Sequence, residues 1–503
     1  MKNKRLFFRL TILSVCLIFT SYSFGQIQSP PAKFTNVYGR ISPICDCKTL
    51  LKVSIPNTRI ESAEIDPKDG SCRVLAIVNH PPANDSVKVW VALPVENWNG
   101  RFEGTGGGGF AGGAQFSLPE PVSQGFAAAA TNTGHEGGSG AFALDSGRLN
   151  WQLIQDNAYL GIHDMTIVGK ALVNSFYGKP AKYAYFVGGS TGGRQGLSEA
   201  QRFPDDYNGI VSFFPAINWH RFIVAELWPQ VVMNEATNYI SAEKFDAFNK
   251  AIIDAVDGKD GTLDGIIDDP MHLQFDLKNL IGKKMGESNF TMADADVIKK
   301  IWSGPRTSDG KFLWYGLLPG ADLKFLAGTK GSPLSGNPFA ISTDWTRYFL
   351  LSDPKWQGSS ITRKEFQLLW NQAVEQYGDV FGTDNPDLTG FRNRGSKVII
   401  IHGLADQLIF PQGSIDYYQR LIHLMGGVKK TMNFARLFLV PGFDHGYSGP
   451  KPINYLESVI RWVEENKPPE VINAELRDKS GTLISKRTLF PYSASSSVQA
   501  ENK

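Results

Sequence analysis

Hydrophobic and polar positions divide the chain into two regions with a regular alternation and one region without it. From about residue 35 to 217, short apolar runs alternate with helical stretches, and the pattern resumes at residue 397. This alternation is typical of an α/β protein with a parallel sheet. Between 218 and 395, tryptophans, Gly/Pro turns and an acidic stretch replace it. The pattern therefore predicts an α/β core at 35–217 and 396–470, an inserted domain at 218–395 and a C-terminal extension at 471–503.

The apolar run 183–187 ends in a glycine-rich turn that holds one serine. Gly188-Gly189-Ser190-Thr191-Gly192 follows this run and leads into a predicted helix at 194–200. A strand that turns sharply into a helix forces the serine towards positive φ and needs small neighbours, which is the pattern of a nucleophile elbow. An ordinary turn serine is the alternative, because the motif is short and the chain contains 51 glycines.

A serine nucleophile needs a base and an orienting acid, and two later strands end near suitable residues. A β-branched strand ends shortly before Asp406, and a shorter apolar strand ends shortly before His445. The chain order Ser190, Asp406, His445 is the order used by α/β-hydrolases. Two alternatives stay open, since Asp406 could cap the segment after it and Asp444 is a rival acid. We interpret His402, at a strand end, as a structural residue.

An oxyanion hole in this architecture takes one backbone N–H from the residue after the nucleophile and one from an early glycine-rich loop. Thr191 is the first donor, and in the loop 106–109 we choose Gly108 as the second. A flexible linker is the alternative for this loop, but Phe110 and Phe116 give it apolar flanks. A phosphate-binding loop is excluded, because no Gly-Lys-Ser/Thr motif follows.

Six aspartates fall within residues 254–269, with glycines between them. Like charges at this density repel one another unless a hard cation neutralises them, and the spacing of oxygen ligands suits Ca²⁺. The stretch resembles an EF-hand loop but lacks the terminal glutamate. A solvated acidic turn is the alternative. The ion would be structural, since the stretch lies in the insertion.

The serine, aspartate and histidine motifs resemble those of the tannase/feruloyl esterase family, which also contains the mono(2-hydroxyethyl) terephthalate hydrolases. The resemblance covers most of the mature chain. It also rests on the segments 98–112, 133–135, 162–163 and 200–204.

The resemblance implies an α/β-hydrolase fold with a large lid. It implies a secreted serine carboxylic ester hydrolase acting on aromatic acid esters of the feruloyl or hydroxycinnamoyl, galloyl or terephthalate half-ester type. It further implies a structural Ca²⁺, held by the side chains of Asp257, Asp260 and Asp264 and the carbonyls of Thr262 and Ile266.

Cysteines mark both an agreement with the family and a departure from it. In the family, a disulfide normally joins a cysteine before the catalytic serine to one after the catalytic histidine, but here these positions are Gly189 and Gly446. Near the N-terminus, the family spacing favours a Cys47–Cys72 bridge, and Cys45–Cys72 is the alternative. The departure predicts less covalent constraint on the triad with its chemistry unchanged.

The N-terminus has the pattern of an export signal. Four basic residues precede the apolar run 10–19, and small residues lead to a cleavage site after Gly25. A membrane anchor is the alternative, but the run is short for a span. The sequence therefore predicts a signal peptide at 1–25 and a secreted or periplasmic protein.

Composition limits the class of partner. The chain is 42% hydrophobic and 12% aromatic, enough for a large core, and its net charge of +2 argues against nucleic acid or an anionic membrane as partner. We expect a small-molecule or plant-polymer aromatic ester as substrate. A serine peptidase on the same fold, a catalytically idle carbohydrate-binding protein and a calcium-dependent adhesion module remain alternatives.

Overall fold

The computed structural model describes residues 34–39, 41–258 and 261–493 of the chain. Its main sheet has nine strands, and in chain order they are Thr58–Ile65 (β1), Cys72–Val78 (β2), Val87–Leu93 (β3), Arg101–Thr105 (β4), Ala127–Thr131 (β5), Tyr183–Gly189 (β6), Gly209–Phe213 (β7), Lys397–Gly403 (β8) and Ala435–Val440 (β9). Their order across the sheet is β1-β2-β3-β5-β4-β6-β7-β8-β9.

The direction of the strands determines where their loops meet. β1, β2, β3 and β5 pair antiparallel, whereas every later pair, from β5-β4 to β8-β9, is parallel. β8 is buried from Val398 onwards, which suits a run of β-branched residues inside a sheet covered on both faces. Parallel strands end at the same edge of a sheet. The loops after β6, β8 and β9 therefore converge.

Helices lie between the strands and within the insertion. The first group is Pro119–Ser123 (α1), Trp151–Gln155 (α2), Gly161–Tyr177 (α3) and Thr191–Arg202 (α4), and a π-helical turn, Asp156–Leu160, joins α2 to α3. The insertion contains Trp219–Ala225 (α5), Trp228–Ala236 (α6), Ala242–Val256 (α7), Met292–Ser303 (α8), Ala340–Asp344 (α9) and Arg363–Phe381 (α10). The last group is Thr389–Asn393 (α11), Pro411–Leu424 (α12), Val428–Thr431 (α13) and Tyr455–Glu465 (α14).

Both faces of the main sheet are covered. Apolar side chains of α3 and α12 pack on one face, and those of α14 pack on the other. A small antiparallel sheet, Lys451–Ile453 (β10), Ile472–Arg477 (β11) and Leu483–Leu489 (β12), joins the second face. This arrangement is the α/β-hydrolase fold that the sequence predicts.

The insertion leaves the core after β7 and returns at β8, between two neighbouring strands. It builds a hydrophobic core mainly of its own, to which the first half of the chain adds Phe110, Ala143, Ile154 and Ala158. The bounds of a separate domain at 218–395 stay a prediction. A role as a lid stays a prediction.

The N-terminal region shows the disulfide that the resemblance implies. Cys47 and Cys72 are bonded, and Cys45 is a half-buried free thiol. Within the described residues, no helix is both long and apolar enough to cross a membrane. The predicted signal peptide, 1–25, lies outside the described residues and stays a prediction.

Candidate active site

Ser190 lies on a tight turn between β6 and α4. Its backbone has φ 60° and ψ −122°, and its N–H donates to the Phe213 carbonyl at 3.0 Å. The strand and helix approach so closely that a Cβ added at Gly188 would lie 2.6 Å from the backbone of Gly192. Small residues are therefore required beside the serine, as expected of a nucleophile elbow.

The three residues predicted as a triad form one hydrogen-bonded chain. His445 Nε2 lies 3.0 Å from Ser190 Oγ, and His445 Nδ1 lies 2.9 Å from Asp406 Oδ2. Ser190 is 8% exposed, His445 is 4% exposed and Asp406 is 1% exposed. The geometry fits a serine whose proton His445 accepts while Asp406 orients the imidazole.

Asp406 is held as an anion by its surroundings. Burial alone would raise its pKa, but the charges and hydrogen bonds of His445 and His402 outweigh burial and hold the pKa well below its usual range. Asp406 Oδ1 also accepts the backbone N–H groups of Leu408 and Ile409 at 2.9 and 2.8 Å. Each of these contacts favours the charged form.

The two neighbouring candidates have other partners. His402 is fully buried, with Nδ1 2.8 Å from Ser414 Oγ and Nε2 3.0 Å from the Ile409 carbonyl. The Asp444 carboxylate accepts hydrogen bonds from the Tyr447 N–H and from the N–H and hydroxyl of Ser448. His402 therefore supports the Asp406 loop, and Asp444 closes the turn after His445.

The glycine-rich loop differs from the expectation at one residue. Gly108 donates its N–H to the Ala111 carbonyl at 3.1 Å, so this donor is engaged within the loop and does not fit the expected oxyanion role. The N–H groups of Gly109 and Thr191 have no acceptor among the described residues. Thr191 Oγ1 donates to the Gly109 carbonyl at 2.5 Å, which places Gly109 beside the residue after the nucleophile. The sequence could not separate these adjacent glycines.

One aromatic ring occupies the space between Gly189 and Gly446, the two positions at which the resemblance leads us to expect cysteines. A Cβ added at Gly189 would lie 2.7 Å from Phe214 Cε2, and one added at Gly446 would lie 3.2 Å from Phe214 Cζ. The Phe214 ring is also 4.7 Å from the His445 ring. Phe214 therefore packs directly behind the histidine. Nothing in the local sequence marks it as part of the site.

The acidic stretch is folded around two of its aspartates. Asp257 accepts the N–H groups of Asp264 and Gly265 at 3.2 and 3.1 Å. The Asp264 side chain is 3% exposed, and its Oδ2 lies 2.8 Å from Arg487 Nη2 on β12. Its buried Oδ1 has no hydrogen-bond partner among the described residues. Asp260 lies outside the described residues, so its predicted role is not placed.

The other two predicted calcium ligands, Thr262 and Ile266, lie on either side of Asp264 in the same loop. Thr262 is exposed, and Ile266 is buried. A Cβ added at Gly442 would lie 2.7 Å from the Ile266 side chain, so Ile266 packs against the segment that leads to His445. The acidic stretch is therefore distant from the triad in sequence but contacts the histidine loop in space.

An exposed aromatic side chain lies near the histidine and stacks on a second one. Phe325 and Tyr447 are 38% and 44% exposed. Their rings are stacked, with centroids 6.2 Å apart, and the Tyr447 ring is 6.4 Å from that of His445. Exposed rings in this position offer a flat surface on which an aromatic group can stack.

Comparisons with known proteins agree with this fold and site. The family model described as "Tannase and feruloyl esterase" matches residues 72–502. A probable feruloyl esterase from Arthroderma benhamiae is 39% identical over 94% of this chain and 92% of its own length. Feruloyl esterase B from Aspergillus niger is 31% identical, over 82% of this chain and 81% of its own. Among solved structures, tannin acyl hydrolase from Aspergillus niger has a TM-score of 0.81 at 25% identity, covering 89% of this chain and 91% of that one. The chain belongs to the tannase and feruloyl esterase family and is a carboxylic ester hydrolase.

Proposed function

We propose that the chain is an exported serine esterase that hydrolyses esters of aromatic acids through Ser190, His445 and Asp406. One observation carries the proposal, namely the hydrogen-bonded order of these three side chains, with contacts of 3.0 and 2.9 Å. Three strand-end loops supply them, so a rigid sheet holds the geometry.

In the first half of the reaction, Ser190 Oγ attacks the ester carbonyl carbon while His445 Nε2 accepts the hydroxyl proton. The carbonyl electron pair moves onto its oxygen, and the N–H groups of Thr191 and Gly109 stabilise that oxyanion. Collapse of the intermediate breaks the bond to the alcohol oxygen. The alcohol takes the proton from His445 and leaves an acyl-serine.

In the second half, water attacks the acyl-serine and gives its proton to His445. The oxyanion forms again at the same two N–H groups, and its collapse releases the carboxylic acid. Ser190 recovers its proton from His445. Asp406 stays ionised throughout and holds the imidazole with its proton on Nδ1.

An aromatic acyl or alcohol group is the substrate feature that the surroundings favour. The exposed ring of Tyr447 is 6.4 Å from that of His445 and stacks on the exposed ring of Phe325. Relatives carry the names feruloyl esterase and tannin acyl hydrolase, both of which refer to aromatic acids. We therefore propose feruloyl, galloyl or terephthalate half-esters as the substrate class.

A structural calcium ion belongs to this proposal. Asp264 presents a buried carboxylate oxygen without a partner among the described residues, which is the kind of group that a cation satisfies. With Asp257 and Asp260, and with the carbonyls of Thr262 and Ile266, it would supply the oxygen ligands that Ca²⁺ prefers. The bound ion would neutralise the aspartates and order the loop on which the Gly442 segment packs.

The proposal is tested with the Ser190→Ala variant of the mature protein, with the exposed Ser303→Ala as a matched control. Esters of ferulic, gallic and terephthalic acids are assayed beside the corresponding amides. We expect Ser190→Ala to lose several orders of magnitude in kcat and all labelling by a fluorophosphonate, while Ser303→Ala behaves as the parent.

Each alternative has its own outcome. Turnover of Ser190→Ala within about tenfold of the parent would reject the triad. If the parent protein hydrolyses none of the esters and is not labelled by the fluorophosphonate at neutral pH, the protein is a binding protein. Faster cleavage of the amides than of the esters would identify a peptidase.

A further inference from the structure

One histidine and three aspartates form a cluster on the side of the fold that holds the loop between β2 and β3. His80 and Asp85 lie in that loop, Asp156 begins the π-helical turn, and Asp164 lies in α3. We call these four residues the His80 cluster. Neither the triad nor the acidic stretch includes any of them, and nothing in the ester hydrolysis described above uses them.

Three donor atoms of the cluster face one another. His80 Nδ1 lies 2.6 Å from Asp85 Oδ2 and 3.5 Å from Asp156 Oδ1. One donor atom each from His80, Asp85 and Asp156 lies within 4.8 Å of the other two. Two ligands on one tetrahedral zinc ion are about 3.4 Å apart, given metal–ligand bonds of about 2.1 Å. Small side-chain shifts would therefore place all three on one ion.

Burial makes the carboxylates of this cluster costly to leave uncompensated. The Asp85 and Asp156 side chains are 1% and 0% exposed, whereas that of His80 is 21% exposed. Asp156 Oδ2 is buried and has no hydrogen-bond partner among the described residues. A fully buried carboxylate oxygen without a partner requires a proton or a cation. The partial exposure of His80 gives an ion a route from solvent.

The groups around the three donors already orient them as in a metal site. His80 Nε2 lies 3.1 Å from Asp164 Oδ2, close enough for an ion pair, although this oxygen accepts no aligned hydrogen bond from the described residues. Metal-bound histidines usually direct their second nitrogen to a carboxylate, and a small rotation of either side chain would align this pair. Asp85 Oδ1 accepts the His80 backbone N–H at 2.8 Å. Asp156 Oδ1 accepts from Gln152 Nε2 at 2.8 Å. Each predicted ligand is thus fixed by a second contact.

We propose that the His80 cluster binds one zinc ion, with His80, Asp85 and Asp156 as ligands and Asp164 as the acceptor behind His80. An imidazole nitrogen combined with two carboxylates suits zinc and related transition ions better than Ca²⁺ or Mg²⁺, which take oxygen ligands. Water would complete the coordination on the exposed side.

The ion would fasten the β2–β3 loop to the segment that supports the active-site loop. Asn157, the neighbour of Asp156, donates from Nδ2 to the Phe110 carbonyl at 2.9 Å. The carbonyls of Asn157 and Ala158 accept from the buried Arg194 guanidinium of α4. An ion at Asp156 would therefore stabilise the base of both the glycine-rich loop and the nucleophile helix. Its role is structural.

The test uses the full mature protein, stripped with a chelator and then returned to buffer with excess Ca²⁺, so that the acidic stretch is not the site measured. Zinc chloride is titrated by calorimetry, and crystals soaked in zinc are measured at the zinc absorption edge. We expect one equivalent of zinc, an anomalous peak among His80, Asp85 and Asp156, and a higher melting temperature with zinc than without.

Asp85→Asn keeps the acceptor for the His80 N–H but removes a charged ligand, so we expect at least tenfold weaker zinc binding in a folded protein. Two matched controls are His272→Gln, from an exposed His–Asp pair, and His163→Gln, from a second histidine–carboxylate group. Both controls should bind zinc as the parent does. The proposal would be overturned if the cluster showed no anomalous peak. It would also be overturned if His163→Gln lost zinc binding while Asp85→Asn kept it. In the absence of zinc binding, the cluster would be an ion-pair network held by a proton on His80.

Discussion

At the residue scale, the triad depends on how one buried carboxylate is kept charged. Asp406 is 1% exposed, so its ionised form would be unstable without compensation. It receives two backbone N–H groups and lies between two imidazoles, His445 at 2.9 Å and His402 at 3.3 Å. Asp444, one residue before His445, has none of these partners but three hydrogen bonds within its own turn. The two acids therefore have separable roles.

We expect Asp406→Asn to lower kcat by a factor on the order of 10⁴, because an amide stabilises the wrong tautomer of His445 and cannot support its charge. Asp444→Asn is the matched control, since an asparagine oxygen can still accept the N–H groups of that turn. Steady-state kinetics with a feruloyl ester measures both variants. Similar losses in the two variants would show that Asp406 has no special part in catalysis.

A second prediction concerns a buried carboxyl outside the triad. Burial, helped by repulsion from Glu120, raises the pKa of Glu103 on β4 to about 8. A glutamic acid in the unfolded chain titrates at about pH 4. Between about pH 4 and about pH 8 the folded state therefore binds more protons than the unfolded state. The free energy of unfolding should then fall as the pH rises through this window, by at most about 1.4 kcal/mol per pH unit.

Glu103→Gln removes this titration. The free energy of unfolding of the variant, compared with that of the parent, should therefore increase from pH 5 to pH 8. Urea denaturation across that range measures the difference, and Glu64→Gln, at an exposed position of β1, is the control. Parallel pH profiles for the parent and Glu103→Gln would show that Glu103 has an ordinary pKa in the folded protein.

Sequence reasoning reaches some of these residues because local chemistry marks them. Ser190 is marked by its flanking glycines, and Asp406 and His445 are marked by the strands before them. Gly109 is not marked, because adjacent glycines look alike in the sequence. The folded loop distinguishes them by the hydrogen bond from Gly108 to Ala111 and by the positive φ of Gly109. The local sequence does not identify Glu103 or the His80 cluster for a related reason. Their burial is created by segments distant in sequence.

At the scale of elements, the loops after β6, β7 and β9 meet behind His445, and the Phe214 side chain packs between them. Phe214 follows β7 directly and has φ 29°, an unusual backbone conformation for a phenylalanine. Gly189 and Gly446 are both within van der Waals reach of its ring. The resemblance leads to an expected disulfide between these two positions. Here we expect the packed ring to take its place.

The prediction is that Gly189→Cys with Gly446→Cys fails to form a bridge while Phe214 is present. A Cβ at Gly189 would overlap the ring at 2.7 Å, so the double variant should melt at a lower temperature and keep free thiols after mild oxidation. Adding Phe214→Ala empties the space between the two thiols. The triple variant should then form the disulfide, as seen by peptide mapping without reductant.

Phe214→Ala alone is the matched control and should be less stable than the parent by about 3–5 kcal/mol, the usual cost of truncating a buried phenylalanine. A double variant that forms the bridge with Phe214 in place and keeps the parent melting temperature would contradict the idea of substitution. The regular elements themselves follow from the hydrophobic pattern. The junction of three loops at Phe214 does not, because it depends on how those elements pack.

At the scale of the whole molecule, three parts of the chain meet at the acidic stretch. The stretch belongs to the insertion, Ile266 packs against Gly442 of the core, and Arg487 reaches it from β12 of the C-terminal sheet. Arg487 pairs with Asp264 at 2.8 Å and also with Asp268. Its positive charge offsets part of the repulsion among the aspartates. The sequence predicts the acidic stretch but not Arg487, which is more than two hundred residues away.

The last prediction separates the contributions of the ion and of the arginine. The protein is treated with EDTA and then given back zinc, so that the His80 cluster is in the same state throughout. We expect this loss of calcium to lower the melting temperature of the parent more than it changes kcat at saturating substrate, because the calcium ion would order the loop without touching the ester. In Arg487→Met the aspartates lose a fixed counter-charge, so EDTA should lower the melting temperature further than in the parent. Arg477→Met, on β11 and paired with Glu475 instead, is the matched control and should respond as the parent does. Elemental analysis must confirm that calcium has been removed in every case. If the melting temperature of the parent then stays unchanged, the calcium assignment is wrong, and the acidic stretch is stable with Arg487 as a counter-charge to Asp264 and Asp268.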